Sequence, residues 1–428
     1  MKLLPVLSAA SRRTSEPPIS DLMQRALSNP ALISLAAGFV DHATLPVEAM
    51  ALAAAAVLAD ATEGRRALQY GTTRGDLRLR NLLVRQLEKS EGVPPGSCAE
   101  IAHRMVITTG SQQLLYLICE ALLDPGDIVL VEAPTYFVFL GILETRGATA
   151  IGIETDQGGL RLDALDATLS DLEAQGRLDR VKLLYSVSEH SNPTGLSLAA
   201  DRRGPLVELV KRWSKRNTIY ILEDSAYRGL TYSGTEPPSI WRHDQDGQTV
   251  ILARSFSKTF SPGIKTGYGI LPETLIAPVL HLKGNHDFGS AHFNQQVLEH
   301  VLSDGSYEAH LEQLIGTYRR KRDIVVEAMD DHFGALDGTV SWTRPRGGLY
   351  VWLTLPEGVD TGRDGALFSR CLEKGVLYVP GCYAFPGASG SVPTNHARVS
   401  FGVASESGLV EGVRRLAAAL EGCLDPVG

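Results

Sequence analysis

The sequence predicts an α/β fold: a large domain with a mostly parallel sheet covered by helices on both faces, plus a smaller α+β domain. Three observations support this prediction. Between about residues 100 and 270, short β-branched runs alternate with longer helical patterns. Several runs are apolar almost throughout, as strands are when helices cover both faces of their sheet. The last third changes to paired strands and a long amphipathic helix.

Five runs predict the strands of the large sheet. Each is rich in valine, isoleucine or leucine and ends at a polar or turn-forming segment. Between the first two runs, "SQQLLYLICEALLDPGD" predicts a helix that a Pro-Gly pair ends. The five runs are "RMVITTG" from 104, "IVLVEAP" from 128, "VKLLYSV" from 181, "TIYILED" from 218 and "TVILARSF" from 249.

The C-terminal third predicts the smaller domain. "GTVSWTRPRGGLYVWLTLP" indicates two strands joined across a turn, and "ARVSFG" indicates another strand. "SESGLVEGVRRLAAALEGCL" predicts a helix capped by Ser405 with one apolar face. Residues 1–50 have few clear elements and are expected to form an arm that returns to this domain. The expected large domain is therefore 51–317, and 318–428 forms the C-terminal domain.

Composition narrows the classes of protein and partner. A net charge of -8 argues against a nucleic-acid binder, which needs a basic surface. Five scattered cysteines form no pair or cluster at metal-site spacing, so we expect no metal and a reducing, cytoplasmic location. No run approaches the roughly 20 apolar residues that a membrane span needs. The first residues, "MKLLPVLSAASRR", have too short an apolar run for a secretory leader.

Polar residues follow each predicted strand, where open α/β sheets bind ligands. Each has an ordinary interpretation when it is taken alone: a capped helix, a core aromatic ring, a common turn or a surface lysine. A helix that opens with free N–H groups can also hold a phosphate. A carboxylate at the end of an apolar strand needs a cation or donors. These residues are Gly110, Ser111, Gln112, Tyr136, Asn192, Asp224, Tyr227, Ser255, Ser257 and Lys258.

The spacing of three of these residues makes them one candidate site. Asn192, Asp224 and Lys258 lie 32 and then 34 residues apart, about one strand–helix–strand unit each. All three are therefore expected at the same edge of one sheet. An anion cradle, a stacking ring, a buried acid and an amine are what pyridoxal 5'-phosphate requires. The amine forms a Schiff base, and the acid keeps the pyridine nitrogen protonated so that the ring accepts electrons.

The chain resembles a fold-type I pyridoxal-phosphate enzyme of the class I/II aminotransferase family. "NPTG", "DSAY" and "SFSK" occur in the family's order and spacing, and the similarity runs from about residue 30 to the C-terminus. The resemblance implies that Lys258 is the Schiff-base lysine and the base that moves the α-proton. It also implies that Asp224 pairs with the pyridine nitrogen and that Tyr136 stacks on the ring. Tyr227 and Asn192 would donate to the cofactor's phenolic oxygen.

The resemblance also implies where the phosphate, the substrate and a second subunit bind. Gly110, Ser111 and Gln112, with Ser255 and Ser257, would hold the cofactor phosphate. Arg398, in "HARVSFG", would pair with the substrate α-carboxylate, and Gly38 lies where the N-terminal segment passes over the substrate. Tyr70, in "LQYGTTRGD", would reach the partner subunit's phosphate, so the homodimer would share its active sites.

One position departs from the family pattern. The family has an arginine after the Pro-Gly turn that follows the lysine, and that arginine grips the phosphate. Here "PGIKTGYG" has Lys265, a compact charge rather than a two-pronged group. Either Lys265 holds the phosphate more loosely, which we favour, or a nearby base such as Arg254 compensates.

The function that the resemblance implies is transamination. An amino group moves from an L-amino acid to a 2-oxo acid, by family default 2-oxoglutarate, in a ping-pong mechanism. The alternatives are β-elimination, decarboxylation or oxidation on the same cofactor, and an amino-acid sensor in a transcription regulator. Fewer than about fifty residues precede the family-like region, which is short for a DNA-binding domain and linker. Four residues stay open as partners of a distal substrate carboxylate: Arg65, Arg66, Arg74 and Arg346.

Overall fold

This computed structural model describes residues 6–29, 31–336, 338–387 and 392–424. The strands are Ile33–Ser34 (β1), Met105–Thr109 (β2), Ile128–Ala133 (β3), Thr149–Asp156 (β4), Gly159–Leu160 (β5), Val181–Ser186 (β6), Tyr220–Asp224 (β7), Val250–Ser255 (β8), Thr266–Ile270 (β9), Ser341–Trp342 (β10), Tyr350–Thr354 (β11), Val376–Leu377 (β12), Val379–Pro380 (β13) and His396–Ser400 (β14). The helices are Ala9–Arg13 (α1), Pro18–Ser28 (α2), Val47–Ala59 (α3), Ala61–Ala67 (α4), Leu77–Glu91 (α5), Gly110–Leu122 (α6), Phe137–Arg146 (α7), Leu162–Ala174 (α8), Ala200–Trp213 (α9), Ile240–His243 (α10), Glu273–His286 (α11), His292–Ser303 (α12), Ser306–Phe333 (α13), Ala366–Glu373 (α14) and Glu406–Leu424 (α15).

The large sheet has eight strands in the order β2-β9-β8-β7-β6-β3-β4-β5. The pairs β8–β7, β7–β6, β6–β3 and β3–β4 are parallel. All five predicted strands are present as β2, β3, β6, β7 and β8. Strand β9 runs antiparallel to both neighbours and was not predicted. The carboxyl ends of β3, β6, β7 and β8 meet at one edge, which is where the predicted polar residues follow.

Both faces of this sheet are buried, as the apolar runs predicted. Successive side chains on a strand point to opposite faces. On β3, Val129 and Val131 belong to one apolar cluster, while Ile128 and Leu130 belong to another. Helices α6, α7 and α11 contribute to the first cluster, and α5, α8, α9 and α12 contribute to the second. The predicted α/β class with a doubly covered sheet is confirmed.

The smaller domain combines an antiparallel sheet with the N-terminal arm. Its sheet order is β10-β11-β14-β13. Strand β1 in the arm pairs in parallel with β12, so the arm returns to the C-terminal third. In α15, the amide of Gly408 donates to Ser405 Oγ at 3.1 Å, as expected for an N-cap. The predicted apolar face is buried: Leu409, Val413, Leu416 and Leu420.

The predicted domain boundary at 317/318 falls inside the continuous helix α13 and stays a prediction. Helix α3 is apolar, but Ala53 is its one buried residue among those that the structure describes. By length and hydropathy, His42–Ala59 is the single described stretch that could cross a membrane, and one such stretch is weak evidence. Helix α3 itself has 13 residues and spans only about 20 Å.

Candidate active site

A cavity of about 450 Å³ opens at the carboxyl edge of the large sheet, against the smaller domain. Every predicted site residue except Tyr70 lines it. The predicted residues in its wall are Gly38, Gly110, Ser111, Gln112, Tyr136, Asn192, Asp224, Tyr227, Ser255, Ser257, Lys258, Lys265 and Arg398. The wall is therefore built by the arm, the large sheet and the smaller domain together.

Lys258 follows β8 and presents its amine to the cavity. Its Nζ donates to the carbonyl oxygen of Gly38 in the N-terminal arm at 2.6 Å. Burial lowers the pKa of Lys258, and the nearby charges of Arg398 and Lys265 lower it further, while Tyr350 opposes them. A lysine in this setting is more readily neutral than a surface lysine, so it is suited to act as a nucleophile or base.

Asp224 ends β7 and is almost wholly buried. Its Oδ2 accepts a hydrogen bond from the Tyr185 hydroxyl at 2.8 Å, while its buried Oδ1 has no partner. Burial raises the pKa of Asp224 to about 6, although the Tyr185 bond opposes the shift. A buried carboxylate oxygen without a donor is costly. A protonated ring nitrogen in the cavity would relieve that cost.

Arg398 lies on β14 and is buried in the cavity wall. Its Nη1 donates to Asn192 Oδ1 at 2.9 Å and its Nη2 to the Ala36 carbonyl oxygen at 2.6 Å. Its Nε is buried without a partner. The guanidinium carbon lies 4.4 Å from the Tyr350 ring centroid and 5.6 Å from that of Phe137. An arginine packed against aromatic rings with an unused donor is prepared to bind a carboxylate.

The start of α6 provides an anion cradle beside β9. Gly110 has φ 68°, a left-handed conformation that glycine adopts without strain. On β9, a Cβ at Gly267 would lie 2.8 Å from the Ser111 amide nitrogen. Glycine therefore lets the two backbones approach closely. Ser255 and Ser257 line the same cavity, and Ser257 N donates to Ser255 Oγ at 3.1 Å.

The two bases considered for the phosphate differ in their surroundings. Lys265 is exposed, lines the cavity and has φ 47°. Arg254 points elsewhere: its Nη2 donates to Glu91 Oε1 at 2.7 Å and its Nη1 to Ser90 Oγ at 3.0 Å. Arg254 does not line the cavity. The structure therefore offers no support for compensation by Arg254 and leaves Lys265 as the side-chain base next to the cradle.

Tyr70 lies outside this cavity and is 82% exposed. Its ring meets that of Phe288 edge-on, with 5.5 Å between centroids. The arginines that stayed open for a distal carboxylate also lie outside the cavity wall. For example, Arg66 pairs with Glu63 and Asp76. Within the described residues, Arg398 is the only arginine in the wall.

Several cavity residues were not predicted. Ile19 and Met23 come from α2, in a segment whose sequence showed no clear element. Phe39 lies in the N-terminal arm, and Tyr350 begins β11. The remaining additional residues are Thr109, Phe137, Val138, Val187, Ala226 and Pro262. Phe137 and Val138 directly follow the predicted Tyr136, and this position in the sequence is the signal that could have indicated them.

The residues of the cavity fit pyridoxal 5'-phosphate. The partnerless Oδ1 of Asp224 suits the pyridine nitrogen, and the half-buried amine of Lys258, with its lowered pKa, suits covalent attachment. The glycine-lined start of α6 suits the phosphate. The chemistry of this donor set therefore agrees with the group that the sequence predicted.

Comparison with known proteins gives the same answer. Residues 30–416 match the family described as aminotransferase class I and II. Aromatic-amino-acid aminotransferase 1 of Thermococcus litoralis is 33% identical over 386 residues, 90% of this chain and 87% of that protein. The 2-aminoadipate transaminase of Thermus thermophilus is 32% identical over 397 residues, 92% and 91% of the two chains. The structure of Pyrococcus horikoshii kynurenine aminotransferase is 31% identical, with a TM-score of 0.88 and 98% of each chain covered. The chain therefore belongs to the class I and II aminotransferases and is a pyridoxal-phosphate-dependent transaminase.

Proposed function

We propose that the Lys258 cavity is the site where an L-amino acid and a 2-oxo acid exchange the amino group, with Lys258 as covalent anchor and base. One observation carries this proposal: a half-buried amine and a buried carboxylate with a partnerless oxygen line the same cavity. When bound, the cofactor supplies an electron sink for the electrons of the broken C–H bond. The protein supplies the positions and the proton transfers.

Lys258 and Asp224 have complementary tasks in this proposal. Because burial lowers its pKa, Lys258 holds a neutral amine that can take the α-proton and return it to a neighbouring carbon. Asp224 stays ionised beside a protonated ring nitrogen, and its partnerless Oδ1 accepts the hydrogen bond from that nitrogen. Tyr185 holds the other oxygen of Asp224 and so fixes the direction of the carboxylate.

Substrate orientation depends on Arg398 and Asn192. Arg398 would bind the α-carboxylate with donors that its bonds to Asn192 and Ala36 leave unused. The Asn192 amide oxygen is already taken by Arg398, so its amide nitrogen remains available to the cofactor's phenolic oxygen. One guanidinium thus links carboxylate recognition to a cofactor contact.

We propose a large apolar or aromatic side chain for the amino-acid substrate. Five apolar side chains stand in the cavity wall: Ile19, Met23, Phe39, Phe137 and Val138. Phe137 and Val138 also line a neighbouring apolar cavity of about 670 Å³ beside the N-terminal arm. Relatives named for aromatic amino acids and kynurenine support this choice. The proposed acceptor, 2-oxoglutarate, follows from the family resemblance alone.

We propose a homodimer in the cytoplasm. Apolar side chains stand exposed on α3 and the segments near it, including Val47, Leu52, Leu68, Tyr70 and Phe288. A second copy of the chain is the proposed cover, with Tyr70 reaching the second copy's cofactor phosphate. All five cysteines are free, which suits a reducing compartment. Sedimentation of Leu68→Glu tests the dimer: the variant should sediment as a monomer, and an unchanged dimer would contradict this interface.

The visible absorption band of the bound cofactor tests the function. Amino acids are added one at a time to the holoenzyme without a 2-oxo acid. The band should bleach in proportion to aromatic or large apolar amino acids and return with 2-oxoglutarate. A band that persists would favour elimination, decarboxylation or oxidation. Bleaching by acidic amino acids alone would overturn the proposed substrate class but not transamination.

A further inference from the structure

Tyr350 contacts two proposed site residues and has no role in the proposal above. It is the first residue of β11, and its side chain is buried in the cavity wall. The Tyr227 hydroxyl donates to the Tyr350 hydroxyl oxygen at 3.1 Å. The two rings meet edge-on, with 5.8 Å between centroids and 79° between planes. Tyr350 therefore holds Tyr227 through both its ring and its hydroxyl.

The ring and the hydroxyl of Tyr350 both contact Tyr227, but their other neighbours differ. The ring lies against the Arg398 guanidinium, as described above. The hydroxyl lies beside the N-terminal arm, where a Cβ at Gly38 would come within 2.8 Å of the hydroxyl oxygen. Glycine at position 38 thus keeps space for this hydroxyl. Because Arg398 contacts the ring, a variant can remove the hydroxyl and keep that contact.

Which of the two hydroxyls donates in the Tyr227–Tyr350 hydrogen bond decides whether Tyr227 can also donate to a ligand. In this direction, the Tyr227 hydroxyl uses its only hydrogen in the bond to Tyr350 and cannot also donate to a cofactor oxygen. A phenol both donates and accepts, so the pair can reverse its direction by rotating two hydroxyl hydrogens. In the reversed arrangement, Tyr350 donates to Tyr227, and the Tyr227 hydrogen is free. Donation to Tyr227 also polarises its O–H bond and strengthens the next bond in the chain.

We propose that Tyr350 is a positioning residue that acts through Tyr227: its hydroxyl donates to Tyr227 in the holoenzyme and directs the Tyr227 hydrogen to the cofactor's phenolic oxygen. This inference rests on the proposed function, in which Tyr227 contacts that oxygen. A donor there stabilises the chromophore form that has lost its proton. Tyr350 would therefore lower the pH at which the visible band of the holoenzyme titrates.

Tyr350→Phe tests the inference because it removes the hydroxyl and keeps the ring against Arg398. The readout is a pH titration of the visible band without substrate. We expect the midpoint to rise by about half a pH unit, since one link of the chain is lost. The KM for the amino acid should change less than about two-fold, because the ring remains. Tyr350→Leu, which also removes the ring, should raise that KM several-fold.

Two control variants separate the possible outcomes. Tyr232→Phe removes another buried tyrosine hydroxyl, which donates to Gly348 O outside the cavity, and should leave the midpoint unchanged. Tyr227→Phe should raise the midpoint by more than Tyr350→Phe. The double variant should match Tyr227→Phe alone, because Tyr350 acts through Tyr227.

Each other result overturns a defined part of the inference. An unchanged midpoint in Tyr350→Phe, together with a raised one in Tyr227→Phe, would overturn the role of Tyr350 and leave that of Tyr227. Unchanged midpoints in both would overturn the proposed role of Tyr227. Additive shifts in the double variant would show that Tyr350 acts on the cofactor independently and would overturn the relay.

Discussion

Two buried carboxylates at the ends of neighbouring strands have opposite surroundings. Glu189, after β6, accepts from Arg203 and Arg228 on one oxygen and from Ser188 and Ser225 on the other. Asp224, at the end of β7, accepts from Tyr185 on one oxygen and has a partnerless second oxygen. The satisfied acid holds the fold together, whereas the half-satisfied acid has an oxygen free for a ligand.

The pKa shifts of the two acids run in opposite directions. Burial opposes charge on both. At Glu189, Arg203 and Arg228 outweigh burial and hold the pKa of the carboxyl well below its usual range. At Asp224, the hydrogen bonds from the Tyr185 hydroxyl and the Ala226 backbone do not outweigh burial, and the pKa rises to about 6. The difference teaches that burial alone does not mark a functional acid. A partnerless oxygen facing a cavity does.

The sharpest way to break this comparison is Asp224→Asn. Asparagine fills the same space but cannot carry the charge that keeps the ring nitrogen protonated. We expect transamination to fall about a thousand-fold, within the usual range for losing a group that supports acid–base chemistry. Steady-state kinetics with saturating cofactor measures it. A loss below ten-fold would contradict the proposed role of Asp224.

Glu189→Gln should have the converse effect. Its loss leaves two buried arginines without their shared anion, which costs about 3 kcal/mol or more of stability. The melting temperature of the holoenzyme should drop, while kcat of the folded fraction should change less than about ten-fold. An unchanged melting temperature with a kcat as low as that of Asp224→Asn would remove the distinction between the two acids.

The pH dependence of the cofactor-free protein sharpens the comparison further. Asp224 has a folded pKa raised from 3.8 to about 6, so it binds its proton more tightly when folded. Its stabilising contribution is full below pH 3.8 and is lost as pH rises through 6, by about 3 kcal/mol. Glu189, with a lowered pKa, stabilises above pH 4.5 and loses this contribution as pH falls.

Thermal unfolding between pH 4 and pH 7 checks this sign. In Asp224→Asn, the stability lost by the wild-type protein between these values should be reduced, because asparagine does not titrate. Glu189→Gln is the matched control and should keep the loss above pH 4.5. Identical pH profiles for Asp224→Asn and the wild-type protein would show that Asp224 is not buried in the uncharged form.

Strong local signals explain which parts of the fold could be predicted. Strands β3, β6, β7 and β8 are apolar runs buried on both faces; Asp224 ends β7, and Lys258 follows β8. Strand β9 was missed because its sequence, "TGYGI", places glycine at 267 and 269, where an apolar strand signal is absent. Tertiary contacts require glycine at these positions. At Gly269, for example, a Cβ would lie 2.4 Å from a methyl carbon of Leu114.

The site shows the same limit. Lys258, Asp224 and Asn192 were predictable from their positions after strands and from motifs. Tyr350 was not, because an aromatic residue in a strand is typical of a core. Its contact with Tyr227 joins residues 123 positions apart in the chain. The four partners of Glu189 and the partnerless oxygen of Asp224 are likewise properties of packing, which single-residue patterns do not carry.

The smallest expected effect concerns Lys265, an exposed cation next to the anion cradle at the start of α6. Lys265→Arg should slow cofactor loss about five-fold, because a planar fork makes two bonds to a phosphate where an ammonium makes a point contact. The rate is measured by diluting the holoenzyme into cofactor-free buffer and following the visible band.

Arg254→Lys is the control. Arg254 Nη2 donates to Glu91 Oε1 at 2.7 Å, so the loss of the guanidinium should affect stability and not the rate of cofactor loss. Faster cofactor loss in Arg254→Lys, with no change in Lys265→Arg, would move the phosphate contact to Arg254. The phosphate would then be held by an arginine that is already paired with Glu91, as Glu189 is already paired with its arginines, and not by a group that is free for a ligand, as Asp224 Oδ1 is.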